Sequence, residues 1–394
     1  MKRETEAELL PALITGGAGD DPAGVMTYTV VGATTGFSQL WLLALSTPIL
    51  AAATAMAGRI ALAAQDGLAD VLQKRAGRSV ALFVVGLLAL VNGFTIAADA
   101  AAVAAVLGWL SGQPWTLFVL PVLILLAALV LAGYGPLKRV LLFFTAALLA
   151  YLAAAVLARP DPLALLNGFL PHLGGPGWMV AALGLLGTTI SPYLLFWQAG
   201  EDVEELRASV TIRPKRADEG AFLGMAYSNL IAAAIVVASA VAFHGQAPGS
   251  VVEAARALAP LGRLGMGFFI VGLLASGLLA LPTLAGATAY AVAELFDWPE
   301  GLGVRPAAAR GFYLVFVLGL VANGAIALLP GFNPAQALYY SQVLDGALLP
   351  VMLLVLLWLS NDPRVVPERN PVWINLFGGL GALLALLALL LALG

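Results

Sequence analysis

The sequence has no cysteine and only two histidines, His172 and His244. Without cysteine there is no disulfide, no thiolate metal centre and no thiol redox chemistry. Two histidines exclude a histidine-rich metal site. Charge is scarce as well: Asp, Glu, Lys and Arg make up 10% of the 394 residues, against roughly 25% in a soluble domain. There is no GxxxxGK[ST] phosphate loop and no nucleophile–base pair, so the chain does not read as an enzyme. The charged N-terminus leads to no small-residue cleavage site, so no cleavable signal peptide is expected.

What is present is apolar surface. Hydrophobic residues make up 61% of the chain, and the mean hydropathy is +0.96. Runs of about 20 apolar residues are candidate transmembrane helices. Eleven are expected, at 8–33 (interrupted), 37–61, 79–108, 115–133, 137–157, 177–199 (interrupted), 219–243, 258–292, 308–330, 335–359 and 372–393. The eighth is long enough to tilt or bend. This is an all-α polytopic membrane protein with no soluble domain left over and the lipid bilayer as its partner. With the N-terminus cytoplasmic and the C-terminus outside, 16 of the 19 Lys and Arg residues are cytoplasmic, and only Arg159, Arg256 and Arg263 face out. That asymmetry follows the positive-inside rule and is expected for a bacterial-type inner membrane.

Of the 22 acidic residues, 18 fall in loops, tails or solvated helix ends, and four lie inside the hydrophobic spans: Asp20, Asp21, Asp99 and Asp345. A central Asp costs about 2.5–3.5 kcal/mol on insertion scales and marks a bundle interior or a water-filled cavity. None has a Lys or Arg in its own span core, which points to a bound cation or a proton as counter-charge. Asp21 followed by Pro22 also has the form of a helix N-cap with proline at N1. The two roles are compatible, because a cap leaves one carboxylate oxygen free. Asp20 has two readings, a second acidic contact for a cation or an anchor for unwound backbone. Asp99 and Asp345 read as a secondary polar pathway, or as groups that are protonated or bonded to neighbouring helices.

The first span carries GGAG just before Asp20-Asp21-Pro22, and the sixth reads GLLGTTISPYLLFW at 184–197. Glycines and proline unwind a helix, and Ser191 precedes Pro192 as Asp21 precedes Pro22. Each pair is expected to cap a second half-helix. Breaks at corresponding places in two halves are the sequence signature of a transporter built from inverted repeats, with substrate at the midplane between them. The first repeat is placed at about 8–157 and the second at about 177–359, five spans each, with an extra helix at about 372–393. The two halves share no detectable identity, so the repeat rests on the position of the breaks.

These residues resemble the Nramp family of divalent-metal transporters over nearly the whole chain, which implies a LeuT-like fold with broken helices 1 and 6. The family signatures are Asp-Pro-Gly-Asn in span one and Met-Pro-His in span six; here they read Asp21-Pro22-Ala23-Gly24 and Ser191-Pro192-Tyr193. Residues 224–244 and 273–302 look like family spans seven and eight. SQVL at 341–344 resembles the stretch whose glutamine, here Gln342, helps to close the site. The resemblance implies metal ligands at Asp21, at the carbonyls of Ala18 and Thr188, and at Gln342, with Ser191, Gly24, Asp20 and Tyr193 lining the same space.

In the family an Asn amide and a Met thioether also hold the metal; Gly24 and Ser191 stand in those places. Loss of the sulfur hardens the site, and two shorter side chains enlarge it. That suits a partly hydrated Mg²⁺ or Mn²⁺, and the pattern resembles an Nramp-related branch that carries both. The family's span-six His is Tyr193, its acidic pair in span three is reduced to Asp99 with Ala102 three residues on, and 311–330 lacks the basic partner expected in span nine. Uncoupled, potential-driven flux is therefore expected. No cofactor is implied, the metal being substrate. The alternatives are a proton-coupled Mn²⁺/Fe²⁺ importer, a carrier of an organic solute on the same fold, and a receptor that binds without transport.

Of the remaining polar features, EDVEELRASVTIRPKRADEG at 201–220 is expected to be a solvated connector, and 65–79 a short amphipathic stretch at the inner surface. The basic residues of 65–79 set topology and do not indicate nucleic-acid binding. Asn92, Asn229 and Asn323 are expected to bridge helices. Gln198 is a vestibule candidate, and His172 and His244 are expected near the outer surface.

Overall fold

The computed structural model describes residues 20–132, 146–207 and 214–393, with backbone alone for residues 205 and 214–224. In a bilayer every backbone N–H and C=O must be satisfied within the protein, and a chain this apolar does so by forming helices. The helices are α1 (Pro22–Thr35), α2 (Leu40–Ala64), α3 (Leu68–Ala76), α4 (Arg78–Ser111), α5 (Thr116–Ala132), α6 (Ala150–Leu157), α7 (Pro162–Asn167), α8 (Pro176–Thr189), α9 (Pro192–Arg207), α10 (Pro214–Phe243), α11 (Arg263–Leu295), α12 (Arg310–Ala325), α13 (Pro334–Ser360) and α14 (Val372–Leu393). Among the described residues eight helical stretches are long and apolar enough to cross a membrane, with α8 and α9 counted as one, and Thr116–Ala132 and Ala146–Leu157 are shorter apolar helices. With the half-helix α1, each of the eleven expected spans has a helical counterpart. The early parts of the first and fifth lie outside the described residues, as do Lys2, Arg3, Lys138, Arg139, Arg213 and the GGAG break.

The half-helix α1 lies at the centre of the bundle: every residue from Pro22 to Ala33 is buried. It packs against α10, α8 and α13. The contact between α8 and α13 is closer than side chains allow. A Cβ at Gly187 would lie 2.1 Å from the Gln342 carbonyl oxygen, and one at Gly346 would lie 2.1 Å from that of Leu183. Small residues at such crossings let the two backbones touch, and here they set the depth of Gln342 beside the second helix break. By contrast, α14 presents Leu376, Leu383, Leu387 and Leu390 outward, as a lipid-facing helix does.

Three expectations change. Residues 201–207 and 214–220 continue α9 and α10 as helix, so the 201–220 segment is not a simple connector. Its Glu204 accepts from the Tyr290 hydroxyl at 2.6 Å and from the Leu302 N–H at 3.1 Å, because the 301–303 turn has N–H groups to satisfy. The eighth span begins at Arg263, since residues Glu253–Leu261 form a separate 3₁₀ helix that ends at Gly262, φ 59°. Finally, Glu294 is no solvated helix end. It is buried and accepts from the Ala69 N–H at 2.7 Å, so it caps α3, whose own N-cap residue, Gly67, has no side chain to do so. A Cβ at Gly67 would overlap that carboxylate.

Elsewhere the expectations hold. Helix α3 is amphipathic, burying Leu68, Ala69, Val71 and Leu72. Asn92 bridges α4 to Thr288 of α11 at 2.9 Å, and Asn229 bridges α10 to Thr47 of α2 at 2.6 Å. Asn323 of α12 packs against Gly93 of α4. His172 and His244 are exposed. At the same end of the bundle as α3, Arg75 pairs with Asp362 and Arg207 with Glu300 at 3.4 Å. Burial pushes the Glu300 carboxyl up to about 7, against the pull of Arg207 in the other direction.

Candidate functional site

The N-terminus of α1 is the first component. Asp21 is extended (φ −65°, ψ 168°), with Pro22 at N1, and its Oδ1 accepts from the Gly24 N–H. The next orphan donor, Ala23 N–H, is taken by Asp99 Oδ1 from α4 at 3.0 Å. Two carboxylates thus cap one buried helix end, where the exposed N–H groups and the helix dipole favour negative charge.

The second component is the break between α8 and α9. Ile190 and Ser191 are not helical. Ser191 does not act as the side-chain cap expected from its place before Pro192. Its hydroxyl turns back and donates to the Thr188 carbonyl at 2.9 Å, because the last carbonyls of α8 have lost their helical donors. The hydroxyl keeps its own lone pairs. The Thr188 hydroxyl oxygen has no hydrogen-bond partner.

Tyr193 joins the two breaks. It is fully buried, and its hydroxyl donates to Asp21 Oδ2 at 3.3 Å. Three carboxylates, Asp21, Asp99 and Asp345, lie within electrostatic reach of that hydroxyl. Asp345 comes from α13 and is fully buried. Gln342, one turn before it on the same helix face, is also fully buried and its Oε1 has no partner. Among the described residues no Lys or Arg is buried, so nothing fixed neutralises this group.

Asp20 bonds to a different helix. It precedes Asp21 on an extended backbone, and its Oδ1 accepts from Ser228 of α10 at 3.0 Å, while Oδ2 has no partner. The structure joins Asp21 to Gly24 and Tyr193, sets Thr188 and Ser191 at the second break with Gln342 packed beside it, places Asp99 and Asp345 within electrostatic reach of Asp21, and ties Asp20 to α10. Ala18 lies outside the described residues, and Gln198 is half-buried on α9. Ser228 was missed, although a serine next to Asn229 inside an apolar span was a visible signal. The contact of Asp99 with Ala23 crosses 76 positions and had none.

A cavity of about 440 Å³ opens at one end of the bundle, lined by Ala105, Trp115, Val251, Phe332 and Asn333 among others. Ala105 is six residues beyond Asp99 on α4, about 9 Å along the helix. The carboxylates themselves have no exposure to solvent beyond 1%, so the site is occluded.

The sequence matches the family described as "Nramp: Natural resistance-associated macrophage protein-like" over residues 12–393. It is 28% identical over 367 residues to a protein of Deinococcus radiodurans named divalent metal cation transporter MntH, covering 87% of this chain and 80% of that one. A second protein of that name, from Verminephrobacter eiseniae, is 28% identical over 402 residues, covering 94% and 85%. The fold is similar to that of the Eremococcus coleocola manganese transporter, with a TM-score of 0.74 at 19% identity over 98% of this chain and 86% of that one. It is also similar to MhsT in complex with L-phenylalanine, with a TM-score of 0.61 at 19% identity over 98% of both chains.

Proposed function

The chain belongs to the Nramp family, and on that premise we propose that it carries the hard divalent cations Mn²⁺ and Mg²⁺ across the membrane through a site centred on Asp21. It is a transporter, not an enzyme, and the metal is its substrate rather than a cofactor. The observation that carries the reading is charge: buried carboxylates surround the two helix breaks, and among the described residues no buried Lys or Arg matches them. A cation is attracted there; the carboxylate of an amino acid would be repelled.

The polar atoms assigned to the space between the breaks are oxygens. The donors are Asp21 Oδ2, the Thr188 carbonyl, the Ser191 hydroxyl and Gln342 Oε1, with the Ala18 carbonyl assigned by resemblance. An all-oxygen set favours Mg²⁺ and Mn²⁺ over softer metals. Gly24 and Ser191 leave room for an ion that keeps part of its water. Asp21 holds the ion with the oxygen that Tyr193 occupies in this occluded state, so entry of the ion displaces the tyrosine hydroxyl. The two half-helices flank the midplane, and the inverted repeat of about 8–157 and 177–359, with 372–393 appended, is supported by the paired breaks.

Transport is driven by potential without proton coupling. The support is that α12 has no basic residue after its first position, Arg310, and that Ala102 stands one turn from Asp99, so no carboxylate–arginine relay can form. The N-terminus is cytoplasmic and the cavity at Ala105 opens outward. The test is flux into liposomes that carry a metal-sensitive and a pH-sensitive dye. Mn²⁺ and Mg²⁺ enter under an inside-negative potential at constant luminal pH; acidification in step with uptake would establish proton coupling instead.

A further inference from the structure

Asp99 and Asp345 are not needed to hold an ion at Asp21, yet both are fully buried. They sit on α4 and α13, which pack against each other, and Asp99 is within electrostatic reach of Asp345. Asp99 gives Oδ1 to the Ala23 N–H, and its Oδ2 has no partner. Neither oxygen of Asp345 has a partner to itself. Thr95 lies against Asp345, one turn before Asp99 on α4. Its single hydroxyl proton is shared between the Val91 carbonyl, at 3.1 Å, and the Asp345 carboxylate, so it cannot neutralise that charge. Gln342 adds another buried oxygen without a partner, one turn from Asp345.

This is an excess of acceptors over the donors that meet them. Two ionised carboxylates in a membrane core require a counter-charge, and among the described residues no buried Lys or Arg supplies one. A divalent cation matches the two charges; a monovalent one leaves a charge over. Among the described residues no three acidic, His or Cys side chains are close enough to hold a single metal ion. Asp21 therefore does not share one coordination shell with both Asp99 and Asp345.

We infer that Asp99 Oδ2 and Asp345, with the Thr95 hydroxyl and with the Gln342 amide oxygen shared with the Asp21 site, form a second site for a divalent cation beside it. This inference rests on the divalent-cation reading of Asp21. Three carboxylates face two divalent ions, which leaves positive charge in excess, so the second ion binds more weakly than the first. Neighbouring sites that repel each other's occupants let an ion bind and still leave.

The experiment is calorimetric titration of the purified full chain with Mn²⁺. The wild type binds two ions per chain, the second about tenfold or more weakly, a separation of about 1.4 kcal/mol. Asp345→Asn keeps the shape, removes the charge, and binds one ion with the tight-site affinity retained, which also reports that it is folded. Thr95→Val, which removes a neutral ligand only, weakens the second ion and leaves the first. A single ion in both wild type and Asp345→Asn overturns the second site and leaves the Asp21 reading standing. Two ions in Asp345→Asn, or an unweakened second ion in Thr95→Val, overturns this assignment of residues. No Mn²⁺ bound by the wild type overturns the divalent-cation reading itself.

Discussion

Replacing Tyr193 by Phe isolates one atom at the centre of the site. The ring is fully buried and stays; only the hydroxyl that donates to Asp21 Oδ2 at 3.3 Å is lost. Asp21 Oδ1 remains bonded to the Gly24 N–H, so the helix cap survives. A hydrogen bond to a charged group contributes about 1.5–3 kcal/mol, and the long distance here argues for about 1.5 kcal/mol. That stabilisation belongs to the ion-free protein, because the ion takes the same oxygen. Removing it raises the free energy of the ion-free state and leaves the bound state unchanged. Mn²⁺ should therefore bind about tenfold more tightly to Tyr193→Phe, measured by calorimetric titration of the purified protein. Weaker binding would refute the reasoning, since it would mean that the hydroxyl ligates the ion or its water instead of competing with it.

Other consequences follow from the same geometry. Gly187→Ala places a methyl group 2.1 Å from the Gln342 carbonyl oxygen and 2.4 Å from the Gly346 nitrogen; overpacking of this kind costs about 1–3 kcal/mol, so the thermal midpoint and Mn²⁺ affinity should both fall. Gly86→Ala, with nothing within 4 Å, is the control that should not lose stability. Ser191→Met adds a thioether to an oxygen site and should raise Cd²⁺ affinity relative to Mg²⁺; an unchanged ratio in competitive binding would remove Ser191 from the ion's surroundings. The Glu300 carboxyl, pushed up to about 7 by burial, binds more protons in the folded than in the unfolded protein between its ordinary range and pH 7. It thus favours the folded state below that range and loses this contribution as pH rises through about 7. The thermal midpoint of the wild type should fall from pH 5 to pH 8, and Glu300→Gln should flatten the slope; equal slopes would contradict the assignment.

The spans were legible because hydrophobic length is a property of contiguous residues, and so was the break before Pro192, because proline acts locally on the backbone. Asp21 as a cap followed from Pro22 beside it. Ser191 looked equivalent but was not. A hydroxyl both donates and accepts, and which it does depends on the carbonyls left by the preceding helix. Contacts across the bundle were not legible. Asp99 meets Ala23, Asp20 meets Ser228 and Glu294 caps α3, each through helix packing that no local pattern encodes. Glu294 was placed with the solvated helix ends because the eighth span seemed to stop at 292, and a short error in a boundary decides whether a carboxylate is in water or in the core. Asp345 stood out in sequence as a charge in an apolar run, but its place beside Thr95 and Asp99 became visible only with α4 packed against it.

Asp21 holds the transported cation, and Mn²⁺ uptake into liposomes by Asp21→Ala is the decisive measurement. Alanine removes both carboxylate oxygens at the break while Asp99 still meets the Ala23 N–H, so α1 keeps one of its caps. With the variant incorporated as efficiently as the wild type, uptake under an inside-negative potential should be lost. Uptake at the wild-type rate would contradict the account.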